Sequence, residues 1–199
     1  MKRNDRKALE DQIRHMDDAP YNPSPEHIEK IKKVGAAACR VRSMSEIATL
    51  DGLILPGGES TAMGKLLRYF NMLHDLREMI KKGLPVWGTC AGLILLAREV
   101  EGGITHLGVM DMKVCRNAYG SQLDSFSCEQ VIKEFSPDMQ ELVFIRAPII
   151  EGVSGKTKII AETDGKITAA KEENMLATSF HPELAAGTSV HDYFINKMC

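Results

Sequence analysis

The sequence has no apolar run approaching the roughly 20 residues that a membrane span requires, so no membrane partner is expected. Neither sign of charge is in excess. The 25 Lys+Arg stand against 27 Asp+Glu, a formal net charge of −2, which leaves little for the basic face that nucleic-acid binding uses. Cysteine is sparse: Cys39, Cys90, Cys115, Cys128 and Cys199 are odd in number, widely spaced and without a CxxC pair. That pattern excludes a disulfide framework and a zinc cluster. It fits a reducing, cytoplasmic setting and leaves at least one thiol free to work. The opening Met1-Lys2-Arg3-Asn4-Asp5-Arg6 is charged with no apolar stretch behind it, so it does not read as a secretory signal.

What is present is the composition of a globular domain. With 199 residues and 44% of them hydrophobic, the chain can bury roughly 70% of its unfolded surface without a disulfide or metal staple. A single domain over 1–199 is expected, in which residues 1–24 read differently from the rest.

Within that N-terminal stretch, Lys7 to Asp18 has helical spacing, with Leu9, Ile13 and Met16 on one face. Asp17-Asp18-Ala19-Pro20-Tyr21-Asn22-Pro23 then breaks it. Ser24-Pro25-Glu26 is a helix start, with an N-cap serine, proline at the first helical position and an acid in the first turn. That helix should run to about Val34 and stop at Gly35. Strands and helices then alternate. Ala36–Val41 and Leu50–Leu55 are apolar runs, a helix begins near Thr61, Pro85–Trp87 is a brief strand, and Leu93–Glu99 is helical. The second half is richer in strands, at Val109–Val114, Phe126–Ile132, Leu142–Ile145, Thr157–Glu162, Lys166–Ala170 and Met175–Phe180, before a last helix at Val190–Met198. This alternation predicts an α/β fold, a mostly parallel sheet flanked by helices on both faces.

The sharpest chemical signal is Gly88-Thr89-Cys90-Ala91-Gly92, entered by a strand and left by an apolar helix. It has the form of a nucleophile elbow with cysteine at the reactive position. The glycines allow a tight turn that lifts Cys90 above the sheet edge, at a helix N-terminus whose dipole favours a thiolate. The Ala91 amide would face a developing oxyanion. A buried core thiol flanked by glycines is the plainer alternative.

A thiol nucleophile needs a base, and the base needs an orienting group. Ser179-Phe180-His181-Pro182-Glu183 offers both. If the segment is extended, residues i and i+2 face the same way, and Glu183 lies beside the His181 ring. His15, His27, His74, His106 and His191 have no comparable setting and read as structural or solvated. Leu55-Pro56-Gly57-Gly58-Glu59-Ser60-Thr61 places a glycine pair between a strand and a helix start, where backbone amides can meet an anion or oxyanion. It lacks the Gly-Lys-Ser/Thr ending of a P-loop. Arg116, which opens the string to Gln122, and Arg146, which ends the apolar strand Leu142–Ile145, together suit capture of a substrate carboxylate, though singly each also reads as a surface ion pair.

In this order, these segments resemble the class I (triad-type) glutamine amidotransferases, and more narrowly the glutaminase subunits of pyridoxal 5′-phosphate synthase. The resemblance is carried by Leu53-Ile54-Leu55-Pro56-Gly57-Gly58-Glu59-Ser60-Thr61, Gly88-Thr89-Cys90-Ala91-Gly92, the string from Arg116-Asn117 to Ser125-Phe126, Phe144-Ile145-Arg146-Ala147-Pro148, and Ser179 to Leu184. It spans about Glu26 to the C-terminus. It implies a three-layer, flavodoxin-like glutaminase fold and a triad of Cys90, His181 and Glu183. Gly58, Glu59 and Ser60 would contact glutamine, with Gly58 and Ala91 at the oxyanion. Arg116, Ile145 and Arg146 would line the rest of the pocket. The implied reaction converts L-glutamine and water to L-glutamate and ammonia through a thioester, with no metal and no cofactor. Ammonia would pass to a partner synthase, a (β/α)₈ barrel, for pyridoxal 5′-phosphate (vitamin B6) biosynthesis.

The resemblance departs at one place. The family begins with an apolar strand and a Gln-Gly loop ahead of the helix at Glu26–Val34, and here that place holds His15 to Ser24, with its acids and prolines. The expectation is that residues 1–24 do not insert as the usual strand, and that the sheet is one strand short there or completed by other residues. Besides the active glutaminase, two readings stay open: a fold-retaining variant that binds a partner with little catalysis, and a cysteine hydrolase for another acyl group.

Overall fold

A computed structural model describes residues 24–116 and 125–199. The readings made for residues 1–23, including the helix at Lys7–Asp18 and the fate of the N-terminal segment, lie outside the described residues, as does the string Asn117–Asp124.

The first element among the described residues is helix α1 (Ser24–Lys33), ending one residue before the expected Val34. It is followed by a short helix α2 (Met44–Ile47), strand β1 (Leu53–Leu55), helices α3 (Ser60–Tyr69) and α4 (Met72–Lys81), strand β2 (Val86–Thr89) and helix α5 (Ala91–Leu96). The remaining strands are β3 (Ala97–Glu101), β4 (Met110–Cys115), β5 (Ser125–Gln130), β6 (Gln140–Ile145), β7 (Ile149–Val153), β8 (Lys158–Thr163), β9 (Lys166–Glu172) and β10 (Met175–Thr178). Helix α6 (Ser189–Tyr193) runs on into a π-helical turn, Phe194–Met198.

The main sheet has the order β1-β2-β10-β9-β7-β4-β3, with β8 paired to β9. β1, β2 and β10 are parallel neighbours, as are β3 and β4, while β9 runs antiparallel to β10, β7 and β8. The α/β architecture is the expected one. The sheet is mixed because the strand-rich second half pairs through short reversals, which give antiparallel neighbours, rather than through helical crossovers. β5 and β6 form a separate antiparallel hairpin.

The sheet is covered on both faces. All four residues of β2 are buried, as a central parallel strand requires. Their side chains alternate. Val86 joins Leu53, Leu55, Met175 and Ala177 in a core with Leu76 and Ile80 of α4 and Leu93 of α5. Trp87 joins Leu176, Phe180, Val190, Tyr193 and Phe194 in the core on the other face.

Two local readings are corrected. The helix expected over Leu93–Glu99 ends at Leu96, because Ala97–Glu101 pairs in parallel with β4, with Ala97 opposite Met110 and Glu101 opposite Cys115. Ala36–Val41 forms no strand; none of these residues is buried. Among the described residues β1 ends the strand order, with β2 its one partner. No helix of the described residues is long and apolar enough to cross a membrane.

Candidate active site

The turn from β2 into α5 puts Cys90 at φ 49° and ψ −103°. A non-glycine residue there costs about 1–3 kcal/mol and persists only where its surroundings over-determine it. Here the Cys90 amide donates to Thr178 O at 2.9 Å, fastening the turn to β10. Gly88 and Gly92 let α5 lie directly on the sheet. A Cβ on Gly92 would overlap the carbonyl oxygen of Leu55, and one on Gly88 would lie 2.5 Å from the Gly92 backbone. The elbow read from the sequence is therefore a strained, close-packed turn, and Cys90 is only 8% exposed at its apex.

His181 reaches the same point from the chain three residues beyond the end of β10. Its amide donates to Val143 O at 2.8 Å, tying it to β6 of the small hairpin. Its Nδ1 lies 2.7 Å from Glu183 Oε1, and both side chains are almost wholly buried. The expected side-by-side pairing occurs, but not in an extended segment. Leu184 N donates to His181 O at 3.1 Å, so Pro182 and Glu183 form the bend of a tight turn. Proline suits that bend as well as it suits an extended chain.

Burial opposes charge on His181, but its interactions with the Cys90 sulfur and the Glu183 carboxylate outweigh it, raising its pKa to about 10. Burial likewise pushes Glu183 up, and the bond with His181 outweighs it and holds the carboxyl below its ordinary range. Both shifts favour the imidazolium–carboxylate form of the pair.

The glycine loop closes over this pair. A Cβ on Gly57 would lie 2.6 Å from His181 Cε1 and 3.6 Å from Cys90 Cβ. The Cys90 Sγ is 3.9 Å from the carbonyl oxygen of Ile145. Gly57, Cys90, Ile145, His181 and Glu183, spread over 127 positions of the chain, therefore converge.

Gly58 follows Gly57 at φ 136°, a conformation that favours glycine. Ser60 is buried, and Glu59 caps α3. The Glu59 carboxylate accepts from Thr61 N at 3.1 Å and Ala62 N at 2.6 Å. Arg116 reaches the same place, with Nη2 3.1 Å from Glu59 Oε1 and Nη1 donating to Thr61 Oγ1 at 3.2 Å. Burial raises the Glu59 pKa, and these amides together with Arg116 outweigh it, holding it below the usual carboxylate range. Arg146 follows β6, exposed and at φ 45°.

Two histidines that look ordinary in the sequence belong to this site. His27 of α1 and His191 of α6 are buried behind the triad. His27 Nε2 lies 3.4 Å from Glu183 Oε2 and 3.4 Å from Thr89 Oγ1, and its Nδ1 is 3.0 Å from His191 Nε2. One turn on from His27, Lys30 donates to Ala185 O, to Ala186 O at 3.1 Å and to Gly187 O at 2.8 Å, clamping the loop that follows Glu183. The only local signal is that His27 and Lys30 stand three apart on one helix face. Away from the triad, Glu101, Cys115 and Glu151 bring possible metal-ligand atoms within 4.8 Å of one another. Lys113 already pairs with Glu151 at 2.8 Å.

Residues 23–199 match the model of the SNO glutamine amidotransferase family. A "Pyridoxal 5'-phosphate synthase subunit PdxT" of Clostridium acetobutylicum is 49% identical over 171 residues, covering 85% of this chain and 92% of that one. A protein of the same name from Carboxydothermus hydrogenoformans is 46% identical, covering 87% and 92%. A solved structure described as "Crystal structure of glutamine amidotransferase" superposes with a TM-score of 0.81 at 36% identity, covering 86% of this chain and 92% of that one.

Proposed function

We propose that this chain, which belongs to the SNO glutamine amidotransferase family, hydrolyses L-glutamine to L-glutamate and ammonia as the glutaminase subunit of a pyridoxal 5′-phosphate synthase. The observation that carries this reading is the His181–Glu183 pair at 2.7 Å behind the strained Cys90 elbow, in a chain 49% identical to a PdxT subunit.

The residues divide the work as follows. Cys90 sulfur attacks the side-chain carboxamide carbon of glutamine. Negative charge gathers on the former carbonyl oxygen, where the amides of Gly58 and Ala91 stabilise it. His181, held as imidazolium by Glu183, gives its proton to the amide nitrogen as the C–N bond breaks and ammonia leaves. A γ-glutamyl thioester remains on Cys90. Neutral His181 then takes a proton from water, whose oxygen attacks the thioester. The thiolate departs, glutamate leaves and the imidazolium is restored.

Arg116, Glu59, Ser60, Ile145 and Arg146 hold the amino-acid end of the substrate, with Arg116 oriented by Glu59 and Thr61. Ammonia passes to a synthase partner, which we take to be a (β/α)₈ barrel that activates the glutaminase on docking, in the cytoplasm. The chain acts as one glutaminase domain, and neither a metal nor a cofactor takes part. The variant that binds a partner with little catalysis remains the rival, motivated by the atypical residues 1–24. Glutamate release from glutamine, measured with and without synthase, separates them: the glutaminase turns over with synthase present, whereas the rival does not.

A further inference from the structure

Behind the triad lies a buried chain of imidazoles whose proton positions can be worked out. His27 Nδ1 and His191 Nε2 are 3.0 Å apart, so one of the two must donate. Burial lowers the pKa of both rings, that of His191 to about 3, so both are neutral and each carries a single N–H.

Two independent facts select the same arrangement. At one end, His27 Nε2 faces the Glu183 carboxylate oxygen Oε2 and the Thr89 hydroxyl, each at 3.4 Å. A bare nitrogen there would set a lone pair against an anion, so Nε2 carries the hydrogen and Nδ1 accepts. At the other end, His191 Nδ1 is buried and has no partner among the described residues. An N–H there would be a stranded donor, which folded proteins avoid more strictly than a stranded acceptor. The hydrogen therefore sits on His191 Nε2. The chain reads His191 Nε2–H to His27 Nδ1, and His27 Nε2–H towards Glu183 and Thr89.

Glu183 Oε1 is engaged by His181, while Oε2 has no hydrogen-bond partner among the described residues and meets His27 Nε2 only in a 3.4 Å electrostatic contact. Thr89 immediately precedes the nucleophile. We propose that His27, backed by His191, is a positioning residue of the triad: its Nε2–H bridges the segment bearing Cys90 and the segment bearing His181 and Glu183, fixing the carboxylate plane that orients the base. The catalytic part of this inference rests on the glutaminase reading; the proton arrangement does not.

The test uses the full chain, with synthase present for turnover. The side chain of Gln can put an N–H where His Nε2 stands, whereas that of Asn reaches only to the position of Nδ1. His27→Phe and His27→Asn should lower kcat about 10- to 100-fold with KM little changed, the size typical for a group that orients a reacting one. His27→Gln should recover most of that loss. A purely structural role would not separate Gln from Asn in this direction. Nitrogen-15 NMR of the histidine rings of the wild-type chain should show His27 and His191 neutral with hydrogen on Nε2. Hydrogen on Nδ1 of His27, a folded His27→Phe with wild-type kcat, or His27→Asn as active as His27→Gln would each overturn the proposal. If the wild-type chain hydrolyses no glutamine, the function is wrong, and the ring NMR with the alkylation rate of Cys90 in the same variants still decides the positioning role.

Discussion

Gly57 and His181 touch so closely that a Cβ on the glycine would stand 2.6 Å from His181 Cε1. The glycine loop and the base are thus one packed unit, although 124 positions separate them. Gly57→Ala must displace either the loop or the imidazole. A displacement of about 1 Å at a reacting group can cost 100-fold in rate, so kcat should fall by about that factor while the variant stays folded. Steady-state kinetics beside a thermal melt check this, and wild-type kcat in a folded Gly57→Ala would show that the loop is not fixed against the base.

The triad members should rank. Single losses in a triad cost on the order of 10⁴ to 10⁶ in rate, with the orienting acid the mildest. Cys90→Ala should abolish turnover. His181→Ala should nearly match it, because the same group gives a proton to the departing amide nitrogen and takes one from water. Glu183→Gln should lose less, since an amide can still meet the His181 ring. Single-mutant kinetics with synthase present give the order, and equal loss in Glu183→Gln and Cys90→Ala would contradict this division.

Arg116 and Arg146 should act through affinity. Removing a charge-assisted hydrogen bond costs about 1.5–3 kcal/mol, or roughly 10- to 150-fold in KM. Arg116→Gln also releases Glu59, its ion-pair partner at 3.1 Å. Asparagine, one methylene shorter than glutamine, should be a poor substrate. Unchanged KM for glutamine in both arginine variants would remove them from the pocket.

Acid should unfold the chain partly through His191. Its pKa is lowered to about 3, first by burial and then by the neighbouring His27 and Lys30, against an ordinary value of 6.5. Below 6.5 the unfolded chain takes up a proton that the folded ring refuses. Its share of stability is therefore fully present above pH 6.5 and is lost as pH falls towards 3, by up to about 1.4 kcal/mol per pH unit. His191→Gln should flatten the fall in urea-unfolding free energy between pH 6.5 and 5. An unaltered slope would show that the ring takes up a proton in the fold.

The local parts of the site are legible in the sequence and the long-range parts are not. The elbow is written within five residues, because Gly88 and Gly92 are needed by the same turn that holds Cys90. His181 and Glu183 are two apart, so almost any backbone that buries both lets them meet, and their pairing is readable even though the segment is a turn. The engagement of Glu59 is different. Its carboxylate is held by α3 amides and by Arg116, 57 positions away, and no local pattern encodes that partner. Ala97–Glu101 carries no strand signal of its own, because its pairing with β4 is tertiary. His27 and His191 each look ordinary alone; only their approach across 164 positions gives them a role.

The central claim is that Cys90 is the nucleophile of a glutaminase. The most direct measurement treats the full chain with a glutamine analogue carrying a thiol-alkylating group in place of the carboxamide, then maps the adduct by mass spectrometry while following loss of glutamine hydrolysis. All five cysteines are free thiols, so each is available as a competitor. The account predicts one adduct per chain, on Cys90, formed in step with the loss of activity and slowed by glutamine. An adduct at Cys39, Cys115, Cys128 or Cys199 that tracks inactivation, or full activity in Cys90→Ser, would contradict it.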